Sequence, residues 1–115
     1  MHGIASLQTR REEVAQELLA MRSMHPGSIN EQYVKGKRAG KTVTRGPYPV
    51  LCWREGKKVV SKRLTSAEEL EQARQDVANY RRFRELCKEL EALTRRLGEL
   101  MREAGASEEA LKKGL

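Results

Sequence analysis

The sequence predicts an α+β protein, with an N-terminal helix, a small three-stranded antiparallel basic β element, and a long C-terminal helix that pairs antiparallel with the first. Apolar residues recur at heptad spacing near both ends of the chain, as in paired helices. Glycine and proline interrupt the middle, where valine, tyrosine and tryptophan favour strands. A chain of 115 residues suffices for one domain. We divide the domain 1–115 into a helix (1–27), the β element (28–64), a long helix (65–105) and a frayed tail (106–115).

The first helix is predicted over roughly 5–25. Thr9 and Glu12 have the spacing of a capping box, which allows a later start. Proline and glycine at Pro26-Gly27 stop the helix. Arg11 interrupts the apolar stripe, whose members are Ile4, Leu7, Val14, Leu18 and Met21.

Three strands are predicted in the middle, near 29–35, 48–54 and 58–64. Glycine in Glu55-Gly56 indicates a tight turn between the last two strands. A two-residue loop there pairs Trp53 with Lys58 and Leu51 with Val60. Residues 36–47, with three glycines and little to bury, are predicted to be an exposed, mobile loop.

The predicted pairing sorts the side chains of the hairpin onto two faces, because successive residues of a strand alternate. We expect the first of these faces to meet the core and the second to be basic, although the second also carries Val50, Cys52 and Val59. The first face carries Leu51, Trp53, Val60 and Leu64, and the second carries Tyr48, Arg54, Lys57 and Arg63.

The long helix is predicted to begin with a capping box, formed by Thr65 with Glu68 or by Ser66 with Glu69. It runs to about Ala104, where Gly105 caps it. Its apolar residues lie alternately three and four apart, as a coiled-coil seam requires. The seam consists of Phe83, Leu86, Leu90, Leu93, Leu97, Leu100 and Ala104.

Positive charge is concentrated in the middle of the chain. The formal net charge is +7, and residues 28–63 hold ten basic and two acidic residues. Such a concentration attracts polyanions, so we expect nucleic acid, DNA or RNA, to be contacted mainly at its phosphates. Tyr48 is included as a side chain that can stack on bases, and Arg81-Arg82 as the basic cluster of the long helix. The candidate nucleic-acid-binding residues are Lys35, Lys37, Arg38, Lys41, Arg45, Tyr48, Arg54, Lys57, Lys58, Lys62, Arg63, Arg81 and Arg82.

Enzymatic and cofactor-dependent functions are not expected. Residues 36–42 resemble a phosphate-binding P-loop, but three residues instead of four separate Gly36 from Gly40, and no apolar strand precedes them. The two histidines and two cysteines have no metal-binding spacing, so no metal and no cofactor is predicted. Glutamates on the helices have basic neighbours and indicate surface ion pairs, so no catalytic residue is assigned.

The predicted environment is the cytoplasm. Cys52 and Cys87 both lie in apolar patterns and are interpreted as buried free thiols. No apolar run is long enough to span a membrane, and the first residues lack the pattern of a signal peptide. We therefore expect no membrane contact.

Short segments between residues 26 and 95 carry a recognisable pattern: Gly27-Ser28-Ile29, Gln32-Tyr33, Gly46-Pro47-Tyr48, residues 51–58 (LCWREGKK) and residues 79–86 (NYRRFREL). These segments resemble a small bacterial and archaeal family of uncharacterised domain proteins, often found near transposases and other mobile elements. This resemblance implies a link to mobile DNA. Family members often carry a cysteine-rich knuckle before the Gly-Pro-Tyr segment, whereas residues 34–41 contain no cysteine.

Two functions remain open from the sequence. The first is non-enzymatic nucleic-acid binding through a basic glycine-rich loop and hairpin, as a protein on its own or as a subunit of a mobile-element nucleoprotein complex. The alternative is a protein–protein adaptor or coiled-coil dimerisation module, whose heptad seam docks a partner or a second copy without touching nucleic acid.

Overall fold

The computed structural model of the chain describes residues 3–112, with side chains described up to residue 105. In chain order the elements are α1 (Ile4–Ala20), β1 (Ser28–Arg38), β2 (Lys41–Glu55), β3 (Lys58–Arg63) and α2 (Ala67–Lys112). The predicted α+β class is confirmed. The chain forms two compact units, a division that the single-domain prediction did not include. One unit, the helix pair, combines α1 with α2 from Arg82 onward, and the other, the sheet unit, spans Arg22–Arg81.

Helix α1 ends earlier than predicted. It begins after Gly3, whose carbonyl accepts the amide of Leu7, and it ends at Ala20, with Met21 already extended. The prediction of helix as far as residue 25 or 27 is therefore wrong. The reason is tertiary, because the following segment bonds to α2: the amide of His25 donates to the carbonyl of Asp76, and the Ser23 hydroxyl donates to the Asp76 carboxylate.

The three strands form one antiparallel sheet in the order β1-β2-β3. Lys58 pairs with Glu55 across the turn, and Val60 pairs with Trp53, so the predicted register of this hairpin is wrong by two residues. A shift of two leaves every side chain on its predicted face. Leu51 and Trp53 accordingly face the core, as expected.

The sheet unit has a small core between the sheet and the start of α2. Leu51, Leu64, Ala73 and Val77 are buried in it, and Ile29, Trp53 and Leu70 pack against them. The indole of Trp53 donates to Glu55, and the ring of His25 meets it edge-on with 4.7 Å between centroids. Trp53 thus packs on the core, as the sequence indicated, and the structure adds a hydrogen-bond partner for its polar atom.

Helix α2 begins at the predicted pair Ser66 and Glu69, which forms one half of a capping box, while the Glu69 side chain bonds to Thr65 and not to the amide of Ser66. The Ser66 hydroxyl accepts the amide of Glu69, and the Glu69 carboxylate accepts the amide and hydroxyl of Thr65. These hydrogen bonds, the backbone one first, lower the pKa of Glu69. The helix does not end at Gly105 but continues to Lys112, because a helical glycine costs only about 1 kcal/mol and no proline follows. The rest of the predicted frayed tail, residues 113–115, lies outside the described residues.

In the helix pair, α1 and α2 run antiparallel, as predicted. Leu7, Val14, Leu86 and Leu97 are buried between them. Arg10 bonds to Glu89 and Arg82 to Glu17, so residues later in α1 meet earlier residues of α2. Of the seam, Leu97 is buried as expected, whereas Leu90 and Leu93 are only half-buried. No helix within the described residues is long and apolar enough to cross a membrane.

Candidate nucleic-acid interface

The segment predicted to be an exposed loop is a two-stranded β-ribbon, so the prediction of a loop is wrong, whereas the prediction of exposure is confirmed. The ends of β1 and β2 pair from Val34↔Arg45 to Arg38↔Lys41, and we call residues 34–45 the basic ribbon. The ribbon buries few of its own side chains, so it is held by the hydrogen bonds between its two strands and by the turn that joins them. Five of the twelve residues of the ribbon are basic and none is acidic.

A two-residue turn closes the basic ribbon at Ala39-Gly40. Both residues have positive φ, 54° and 77°, which is the requirement of a type I′ hairpin turn. Glycine adopts this conformation freely, whereas an alanine there costs roughly 1–2 kcal/mol. The tip of the ribbon therefore carries no side chain larger than a methyl group, and Arg38 and Lys41 flank it.

A β-bulge separates the basic ribbon from the rest of the sheet. Gly46 and Pro47 of β2 lie opposite the single residue Tyr33 of β1. Gly46 has φ 125°, and a Cβ atom there would lie 2.8 Å from the carbonyl oxygen of Gln32. Only glycine fits this position, so the local sequence determines where the ribbon begins.

Cations project from both faces of the basic ribbon. Alternation along the paired strands places Lys35 and Lys37 on one face, opposite Thr44 and Thr42. The other face carries Arg38, Lys41 and Arg45, which surround Val34, Gly36 and Val43. A shallow concavity of about 410 Å³ lies on this second face, over the glycine.

The ribbon is exposed and its cations are unpaired. Every residue from Asn30 to Thr42 is exposed, and Val34, an apolar residue, keeps 46% of its surface. Among the described side chains, none of the five ribbon cations has a carboxylate within 4.0 Å. The charge of the ribbon is therefore available to an external anion.

The remaining predicted basic residues of the sheet do not join the ribbon. Arg54, Lys57 and Lys58 lie at the β2–β3 turn, which is the opposite end of β2. At about 3.3 Å per residue, roughly 40 Å of strand separates the two groups. Lys62 lies on the core face at the edge of the sheet and lowers the pKa of Glu69, after the larger effect of the Thr65 hydrogen bonds. The predicted site is thus divided, because the ribbon and the β2–β3 turn form separate basic clusters and Lys62 belongs to neither.

Tyr48 and Arg63 are engaged with each other. The guanidinium of Arg63 lies 3.6 Å from the centroid of the Tyr48 ring, a cation–π contact on the face of the sheet opposite the core. Both flank Val50, which is buried on that face. One side of the Tyr48 ring is therefore already covered by the chain.

The two arginines of the basic cluster in the long helix, Arg81 and Arg82, have different surroundings. Arg82 donates to both oxygens of Glu17 and also to Glu85, with 3.0 Å between Arg82 Nη2 and Glu17 Oε2. These hydrogen bonds, the one to Glu17 first, raise the pKa of Arg82. Arg81 is exposed and has no ion pair among the described side chains. Arg82 thus has internal partners that the sequence did not reveal.

The sequence did contain a signal for the ribbon. Thr42-Val43-Thr44 is a β-branched run, which favours a strand, and Ala39-Gly40 lies midway between two stretches that can pair. The three glycines concealed this signal by suggesting a loop. The unpaired state of the cations, in contrast, depends on where the carboxylates of the fold lie.

Two further features concern reactive side chains. Cys52 and Cys87 are both free thiols, and both are half-buried where burial was expected. Within the described residues, no three histidine, cysteine, aspartate or glutamate side chains come together as a metal ion would require.

The sequence of residues 4–75 matches the protein family described as a domain of unknown function (DUF6788), so the chain belongs to that family. The matched range contains α1, the whole sheet and the start of α2. This finding confirms membership of an uncharacterised domain family. No curated protein and no solved structure matches the chain.

Proposed function

We propose that this member of the DUF6788 family is a non-enzymatic nucleic-acid-binding protein whose basic ribbon contacts the phosphate backbone. One observation carries the proposal: five cations on an exposed twelve-residue ribbon, none of them with a carboxylate partner among the described side chains. Folding gains nothing from such an arrangement, because like charges held close together repel. A row of phosphates replaces that repulsion with attraction and releases counterions.

The experiment is a salt-titrated binding assay with the full chain. Fluorescence anisotropy of labelled DNA and RNA gives the slope of log affinity against log salt, which is about 0.9 for each phosphate neutralised on duplex DNA. Replacing Lys35, Lys37 and Lys41 by glutamine should lower both the affinity at about 50 mM salt and the slope.

A matched triple variant tests whether position matters beyond net charge. Arg84, Lys88 and Arg102 are exposed cations of α2, and replacing them by glutamine removes the same charge. We expect this variant to bind nearly as well as the unmodified chain. No binding of any nucleic acid at about 50 mM salt, or equal losses in the two triple variants, would contradict the proposal.

The proposal also includes the complex and the cellular compartment in which the protein acts. The resemblance described above supports a place in a mobile-element nucleoprotein complex, and the cytoplasm is the compartment that we expect. Genes next to those of family members provide the check, since the absence of transposase genes among them would remove the mobile-element part and leave the binding proposal intact.

A protein–protein adaptor is the second candidate, and the half-buried leucines of the helix pair favour it. Leu93 lines an open concavity of about 710 Å³, and Leu90 lines another of about 620 Å³. Sedimentation over a range of protein concentrations tests self-association through this surface. Association that Leu93→Lys abolishes, together with absent nucleic-acid binding, would place the adaptor first.

A further inference from the structure

The dimensions of the basic ribbon select among nucleic acids. Its five residue pairs extend roughly 13–16 Å, and a sheet together with its side chains is about 10 Å thick. The major groove of B-form DNA is about 12 Å wide and accepts a two-stranded ribbon, whereas the minor groove is about 6 Å wide. Duplex RNA has a deep, narrow major groove that protein elements do not enter. Among these grooves, the ribbon matches the major groove of DNA.

The distribution of cations agrees with a groove better than with a flat surface. A ribbon lying flat on a row of phosphates would use one face, and the cations of the other face would remain unpaired. In a groove, a row of phosphates borders each side. Lys35 and Lys37 on one face and Arg45 on the other then each have a phosphate wall to meet.

The tip is shaped for close approach. The major groove is about 8.5 Å deep, which corresponds to two or three residues of strand at about 3.3 Å each. The Ala39-Gly40 turn presents only a methyl group to the groove floor. Arg38 and Lys41 therefore come within reach of base edges, while Lys35 and Arg45 stay at the level of the phosphates.

The aromatic side chains of the sheet argue against a single strand as the ligand. Proteins that bind single strands stack successive bases on exposed aromatic rings. Trp53 is packed on the core and bonded to Glu55, and one side of Tyr48 is covered by Arg63. Tyr33, at the base of the ribbon, is 57% exposed, and a single ring does not form a platform for successive bases.

We propose that the ligand is duplex DNA and that the basic ribbon enters its major groove tip first, with one phosphate wall on each face. This inference rests on the proposed nucleic-acid binding and narrows it to one ligand and one groove. Arg38 and Lys41 are the groove-floor pair, and Lys35 and Arg45 are the rim pair.

The first experiment compares ligands of equal length at one salt concentration. The full chain is titrated with duplex DNA, duplex RNA and single-stranded DNA of about 20 nucleotides. We expect duplex DNA to bind at least about tenfold more tightly than the other two, and Tyr33→Leu to leave that affinity unchanged. Comparable or weaker binding of duplex DNA would overturn the inference while preserving the proposed function. Binding to none of the three would overturn both.

The second experiment locates the groove. Dimethyl sulfate methylates guanine N7 in the major groove and adenine N3 in the minor groove of the bound duplex. We expect protection at guanine N7, and protection confined to adenine N3 would contradict the major-groove assignment.

Two double variants with the same loss of charge separate the tip from the rim. Arg38→Gln with Lys41→Gln should abolish the protection at guanine N7. Lys35→Gln with Arg45→Gln should lower the salt slope and retain the protection. Loss of N7 protection in the rim variant alone would overturn tip-first entry, and circular dichroism checks that both variants stay folded.

Discussion

The helix pair and the basic ribbon both contain many basic residues, but they differ in what those residues meet. In the helix pair, Arg10 bonds to Glu89 with two short contacts of 2.6 and 2.9 Å, and Arg82 bonds to Glu17 and Glu85. In the ribbon, Lys37 and its four basic neighbours have no carboxylate partner among the described side chains. Arg10 and Arg82 therefore serve the fold, whereas none of the five ribbon cations has such a partner within the described part of the chain.

The two regions also differ in how they are stabilised. The helix pair has fully buried residues, Val14 and Leu86, whereas the ribbon has none and depends on backbone pairing and on turn geometry. The stability of the helix pair therefore depends on buried side chains, whereas that of the ribbon depends on its backbone. This contrast teaches that the positive charge of the chain has to be judged position by position.

The largest expected effect is on the core of the helix pair. Leu86→Ala removes a side chain with 0% exposure and should lower the free energy of unfolding by about 2–5 kcal/mol, because the cavity collapses only partly. Leu19→Ala is the matched control at 79% exposure and should change it by less than about 0.5 kcal/mol. Urea denaturation measures both. Equal effects would mean that α1 does not pack on α2 as described.

The next effect concerns the backbone of the ribbon. Gly46→Ala places a Cβ at φ 125° against the carbonyl of Gln32, which should cost roughly 1–3 kcal/mol and loosen the ribbon. Gly36→Ala has open space around it and no positive φ, so it should be tolerated. Amide hydrogen exchange over 34–45 measures the difference. Slow exchange in both variants would show that the bulge does not position the ribbon.

A smaller expected effect is on the salt dependence of DNA binding, in which unpaired and ion-paired cations should differ. Lys37→Gln should lower the salt slope on duplex DNA by about 0.9, the contribution of one phosphate contact. Arg82→Gln removes the same charge from a residue already bonded to Glu17 and Glu85, and the slope should stay unchanged. If both variants lower the slope equally, the contrast between the two regions has no bearing on binding.

The smallest effect is the response of the helix pair to acid. Hydrogen bonding by Arg10 holds the pKa of Glu89 below the ordinary 4.5. The stability contributed by this ionised carboxylate is present above pH 4.5 and is lost as pH falls through the lowered folded-state value. Thermal unfolding between pH 7 and pH 3 should show a smaller decline for Glu89→Gln than for the unmodified chain. The effect is modest because the pair is partly exposed, and identical declines would contradict it.

Local patterns were enough to predict most of the elements. Heptad spacing predicted two antiparallel helices, and Ser66 with Glu69 predicted the start of α2, because capping and helix periodicity depend on residues close together in sequence. Alternation placed Leu51 and Trp53 on the core face even with the register wrong by two, since a strand repeats every second residue. The concentration of basic residues in 28–63 is likewise a property of the sequence.

Only the tertiary structure decided the rest. The early end of α1 depends on bonds from Ser23 and His25 to Asp76, more than fifty positions away. The ribbon depends on pairing between two strands, whereas its glycines, taken locally, suggest a loop. Arg81 and Arg82 are adjacent in sequence, but their different roles depend on where Glu17 lies in the fold. Sequence determines which charges and strand formers are present, and distance in the folded chain determines which of them already have partners.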